Sequence, residues 1–260
     1  MKPVIRRFGD TFLIASFALA ALGPIQLRAQ GPEAGRGPAA AAKAAAPFDM
    51  TGYWVSLVTE DWRYRMVTPA KNDLMGLPLN TEAAKIADAW DPGADEAAGN
   101  QCKSYGAAAI MKVPARLQIT WQDDNTLRMD VDTGTQTRLF RFRTQSASPG
   151  PPSWQGDSVA QWQAAVTPGP TGVPAPPNTL KVVTRNLRPG YLRKNGVPYS
   201  DKAVVTEYFD LFRHSGDQWL VVTTIVEDPQ YLTQPYVTNA QFRKQSDSSG
   251  WDPTPCSATW

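Results

Sequence analysis

The sequence predicts an all-β protein, an antiparallel up-and-down meander closing into a β-barrel of eight to nine strands with one short helix. Three observations carry this. Apolar and polar residues alternate with a period of two in segment after segment, turn residues punctuate them at short intervals, and the last hairpin is apolar on both faces. A meander of that kind leaves exposed edges unless it closes on itself.

The chain opens with Lys2, Arg6 and Arg7, an apolar run over residues 12–22, and Leu27-Arg28-Ala29-Gln30. This is the charged, apolar and small-residue order of a signal peptide, placed here at residues 1–29. The run is too short to span a bilayer, which takes ~20 apolar residues, so no stable membrane insertion is expected after cleavage. Removing residues 1–29 shifts the formal net charge from +2 to −1, which gives no basic footprint for nucleic acid. Residues 30–47 are rich in Ala, Gly and Pro and read as a disordered linker, which leaves residues 48–260 as one domain. Cys102 and Cys256 both fall in the exported part. An even count in an oxidising compartment predicts a disulfide, worth on the order of 4–5 kcal/mol for a loop of about 155 residues. Neither cysteine belongs to a C-x-x-C pair, which argues against redox or zinc chemistry.

Residues 52–66 alternate and read as the first strand, with Trp54, Glu60, Trp62 and Tyr64 on one face. Residues 80–90 form the one expected helix, capped by Asn80 or Thr81, with Ile86 and Trp90 four apart and Asp91-Pro92-Gly93 as its stop. Residues 95–105 read as loop. Strands over 116–122, 126–131 and 136–143 then form a meander. Pairing Gln122 with Thr126 sets Ile119 opposite Met129, and pairing Val131 with Gln136 sets Leu127 opposite Phe140 and Met129 opposite Arg138. One apolar face results, with Arg138 set into it. Asp123-Asp124-Asn125 is a hairpin turn rather than a calcium site. Further strands are expected over 153–163 and 180–187, and a long loop or irregular ribbon over 188–200. A hairpin over 203–213 and 218–227 turns at residues 214–217, and residues 237–244 form a closing strand. Its register places Glu207 across from Thr223.

Gly52-x-Trp54 at the start of the first strand resembles the G-x-W of lipocalins and their calycin relatives. The resemblance implies a lipocalin-like barrel whose tryptophan plugs one end beneath a cation from the last strand, here Arg243 or Lys244. A second resemblance covers most of residues 50–256. It rests on Trp154-x-Gly156-x-Ser158-x-x-x-Trp162, Gly196-x-Pro198-Tyr199-Ser200, Glu207-Tyr208-Phe209 and Val226-Glu227-Asp228-Pro229-x-Tyr231-x-Thr233-x-Pro235. These are similar to a large group of exported bacterial proteins, a likeness that implies no substrate.

The sole histidine, His214, falls in a hairpin turn, so triads, Cys–His pairs and histidine-bound metals have no imidazole to use. No phosphate or dinucleotide motif is present, and neither metal nor cofactor is expected. Glu60, Glu207 and Arg138 sit at apolar positions of their strands and must be paired there. They are the candidates for catalysis, with a structural ion pair as the plainer alternative. Trp62, Tyr64, Trp121 and Tyr208 are the candidates for lining a ligand pocket, and each could equally fill core. The expectation is a periplasmic or secreted barrel that binds a small hydrophobic or aromatic molecule in its interior. A carboxylate-based isomerase, cyclase or lyase using the same pocket is one alternative. An envelope structural or interaction protein is the other.

Overall fold

Gly52–Leu57 (β1), Arg116–Asp123 (β2), Thr126–Val131 (β3), Gln136–Arg141 (β4), Asp157–Ala164 (β5) and Pro177–Arg185 (β6) supply six staves of a barrel in this computed structural model. Val204–His214 (β9), Asp217–Glu227 (β10) and Tyr236–Lys244 (β11) supply the rest. The barrel closes in the order β1-β11-β10-β9-β6-β5-β4-β3-β2, which leaves no free edge among the nine strands. The structure describes residues 41–142, 150–164 and 177–259. The segment read as a signal peptide, most of that read as a linker and much of the loop before β6 lie outside the described residues.

The register of β2, β3 and β4 follows from the alternation. Ile119 faces Met129, Leu127 faces Phe140, and Met129 faces Arg138. A bulge between Trp121 and Asp123 moves the partner of Thr126 from Gln122 to Asp123. Two departures break the simple meander. β4 and β5 are parallel, with Phe140 beside Ser158, and β6 pairs with β9 across an inserted ribbon, Gly190–Arg193 (β7) with Val197–Tyr199 (β8). The last hairpin turns on two residues only, Ser215 and Gly216, both at positive φ (50° and 87°). That is the left-handed pair a tight hairpin requires, and it sets Glu207 opposite Thr224 rather than Thr223.

The first strand is shorter than its alternation predicts. It ends at Leu57, and Trp62–Arg65 form one helical turn (α1) introduced by Asp61 in the left-handed region at φ 51°. The predicted helix is present as Thr81–Ala89 (α2), capped by the Asn80 side chain on the Ala83 N–H. Asp91-Pro92 stops α2 and also starts a further helix, Pro92–Ala97 (α3). Asp91 accepts from the Gly93 and Ala94 N–H groups, and proline takes a position where no N–H is needed. Among the described residues there are therefore three short α-helices rather than one.

Trp54, Phe140, Phe209 and Phe242 fill the barrel interior with no solvent exposure. Trp54 lies at one end and donates Nε1–H to the Met50 carbonyl at 2.9 Å. Of the two cations considered for its cover, Lys244 takes the position, with Nζ 4.6 Å from the ring centre and donating to the Thr51 carbonyl. Residues 41–46 also pack at this end. Ala42 N–H bonds Asn125, and the Trp162 indole bonds the Ala42 carbonyl, so the last part of the stretch read as linker is an ordered turn. The opposite end is covered by residues between β1 and β2 and by the β7–β8 ribbon. Tyr105, Ile110 and Met111 join the barrel core there, while Leu192, Val197 and Tyr199 build a second apolar cluster with Val205, Val226 and Tyr236. Cys102 and Cys256 are disulfide-bonded, with their Cα atoms 5.1 Å apart, which holds the C-terminal tail against this cap.

Candidate functional site

Inward alternation on β4 and β9 puts Arg138 and Glu207 face to face inside the barrel. Nη1 donates to Oε1 at 2.8 Å and Nη2 to Oε2 at 2.5 Å, with both side chains completely buried. Nη2 also bonds Thr184 (3.3 Å), whose hydroxyl meets Ser158 at 2.8 Å. Phe140 lies under the guanidinium at 4.9 Å. Each charge spends its main valence on the other, so this is a closed ion pair framed by packed aromatic side chains.

Glu60 does not join them. It lies beyond β1 at the cap, half-buried, 3.6 Å from the Lys112 ammonium. Trp62 is 67% exposed. Tyr208 points outward from β9 beneath Lys181, whose ammonium is 5.7 Å from its ring. Trp121 packs on Phe142 near the plugged end, where it helps wall an open hollow of about 610 Å³ with Phe48 and Lys43. The residues named from sequence thus fall in four places, because the chain leaves the barrel at Leu57 and carries Glu60, Trp62 and Tyr64 away from its interior.

Tyr64 does reach a pocket, at the capped end. An outer lobe of about 350 Å³ lies among Tyr64, Met75, Arg193, Tyr236, Val237 and Thr238. It shares Asp61, Tyr64, Arg193 and Tyr236 as walls with a narrow recess of about 30 Å³ that Arg65, Ser104, Lys112 and Lys194 help to line. Four cations therefore converge. Lys112, at the end of the 3-10 turn Ile110–Lys112, donates to Asp61 (2.9 Å) and to the Asn239 carbonyl (3.2 Å). Arg193 lies over the Tyr64 ring at 4.1 Å and bonds the Met75 carbonyl. Lys194 donates to the Tyr105 hydroxyl (2.6 Å) and the Ser257 carbonyl (3.1 Å).

Arg65 is the unusual member. It is 2% exposed, and its Nε donates to the Lys112 carbonyl at 2.9 Å. Its two terminal nitrogens are buried and have no hydrogen-bond partner among the described residues. Burial pulls this guanidinium below its ordinary value, opposed by the charges of Glu60 and Asp61. Burial alone pushes the Lys194 ammonium down to about 7. Burial would raise Asp61, but the Lys112 bond and the charges of Lys112, Arg193 and Arg65 hold it below the usual carboxylate value. The recess is a desolvated, net cationic space.

Sequence reasoning passed over Arg65, Lys112, Arg193 and Lys194. Lys112 ends a three-residue 3-10 turn and Arg193 a four-residue strand, with Lys194 just beyond it, segments too short for periodicity to separate a buried cation from a solvated one. Among the described residues, no three His, Cys, Asp or Glu side chains gather as a metal site would require. No protein-family model matches the chain, and no curated protein is similar to it.

Proposed function

We propose that the protein is an exported binding protein of lipocalin-like build that holds a small, mainly apolar or aromatic molecule. The site is the cleft at the capped end of the barrel. The carrying observation is the outer lobe of about 350 Å³, walled by Tyr64, Tyr236, Met75 and Val237, with Met75 and Val237 each more than half exposed at its margin. A concave space of that size with aromatic and aliphatic walls and a few convergent polar groups is what small-molecule sites are made of. The centre of the barrel is filled by Phe140, Phe209 and the Arg138–Glu207 pair, which favours the cleft over the interior. The amino-terminal charge and hydropathy pattern supports export, and the Cys102–Cys256 bond suits an oxidising compartment.

Intrinsic tryptophan fluorescence tests the reading, because Trp62 shares the one-turn helix α1 with Tyr64, which lines the cleft. Saturable change with an aromatic or apolar metabolite panel, lost in Val237→Asp and retained in an outward-face variant such as Tyr208→Ser, is the expected result. A response that ignores Val237→Asp places binding elsewhere.

A further inference from the structure

We infer that the inner recess is a carboxylate subsite, so that the molecule held in the cleft is a small apolar or aromatic monocarboxylic acid. The inference rests on the cleft reading above and adds the chemistry of the ligand's polar end.

The argument begins with Arg65. A buried guanidinium whose terminal nitrogens lack acceptors loses hydration without compensation, and native structures seldom keep such a group unless something binds it. Its Nε is already committed to the Lys112 carbonyl, so the unused donors are the two terminal nitrogens, side by side in one plane. That end of the fork matches the two coplanar oxygens of a carboxylate.

The surroundings fit an anion. Arg193 and Lys194 add positive charge, and Lys112 adds its own after serving Asp61. Asp61, already bonded to Lys112, is the carboxylate that lines the space; Glu60 lies outside the lining, 3.6 Å from the same ammonium, with its Oε1 buried and without a hydrogen-bond partner among the described residues. Neither is hydrogen-bonded to the buried terminal nitrogens of Arg65. Size narrows the class. The recess is narrow, about 30 Å³, which suits a planar carboxylate better than the four oxygens of a tetrahedral phosphate. The outer lobe then receives the body of the acid, lying between Tyr236, Met75 and Val237.

Calorimetric titration with the matched pair 3-phenylpropionate and 3-phenylpropanol is the test, on the wild type and on Arg65→Lys, which keeps the charge and loses the fork. The expected result is acid binding at least about tenfold tighter than alcohol binding, with most of that preference lost in Arg65→Lys while the alcohol is unaffected. Thermal denaturation in acetate against equal chloride probes the recess alone, and acetate should raise the wild-type midpoint but not that of Arg65→Lys. If acid and alcohol bind equally and acetate has no specific effect, the carboxylate inference falls and the cleft reading survives. If neither phenylpropyl compound binds while acetate acts through Arg65, the cleft reading falls and the anion subsite stands. If none of the three acts, both fall.

Discussion

Arg138 and Glu207 come from strands 69 residues apart in sequence and meet as a two-pronged ion pair with no solvent contact. Burial on this scale makes the pair costly to break and not especially favourable to keep. Glu207→Gln is expected to lower unfolding free energy by about 3–5 kcal/mol, because it strands a buried guanidinium. Replacing both residues together by Met and Leu should cost far less than the two single changes combined. Chemical denaturation of the wild type, Arg138→Met, Glu207→Leu and the double variant measures the difference as a double-mutant cycle. Additive losses would contradict the closed-pair description.

Arg65 leads to the opposite expectation. Its terminal nitrogens are buried without acceptors, at a cost of about 1–3 kcal/mol for an unsatisfied group. Arg65→Met should therefore leave the free protein as stable as the wild type or more so, while removing the preference for acids. Unfolding midpoints without ligand check this, and a large loss of stability would mean that the guanidinium serves the fold.

Lys194 makes stability depend on pH in a defined window. Its amine titrates near 10.5 when exposed and, through burial, near 7 in the fold. Between these values the unfolded chain holds the extra proton, so stability rises with pH from about 7 towards 10 and is lowest below 7. Burial raises Tyr105 and Tyr191 above their usual value, and the stability tied to their neutral forms is lost only above about pH 10. Lys194→Met should flatten the slope between pH 7 and 9.5 in a series of denaturation midpoints. A bound carboxylate favours the protonated amine, so acid binding should strengthen as pH falls from 9 to 6.

The disulfide couples to the same site. Cys256 is followed by Ser257, whose carbonyl accepts from Lys194 and whose N–H reaches the Tyr105 hydroxyl. Cys256→Ser is expected to cost on the order of 4 kcal/mol through loop entropy. It should also free the tail and return the Lys194 amine towards its ordinary value. Amine-reactive labelling at pH 8, read by mass spectrometry, follows the second effect. Unchanged Lys194 reactivity would show that the tail stays docked without the bond.

Much of the barrel was legible in the sequence because alternation is a direct imprint of strand faces. Leu127, Met129 and Phe140 could be paired before any coordinates, and Arg138 stood out as a charge at an inward position. Glu207 was recognised as inward-facing; its observed partner is Thr224, one residue from the expected Thr223. Residues 58–66 misled for a physical reason. Glu60-Asp61-Trp62-Arg63-Tyr64-Arg65 alternates well enough for a strand, yet Asp61 takes a left-handed conformation and the next four residues coil into α1. The site stayed hidden because it is assembled from that turn, a 3-10 turn and a hairpin ribbon. Only tertiary packing brings Arg65, Lys112, Arg193 and Lys194 around one space.

A crystal structure of the protein soaked with 3-phenylpropionate tests the central claim most directly. The account predicts electron density with the carboxylate on the two terminal nitrogens of Arg65 and the ring between Tyr236 and Val237. Density beside Arg138 inside the barrel, or at the hollow near Trp121 with the cleft empty, would contradict it.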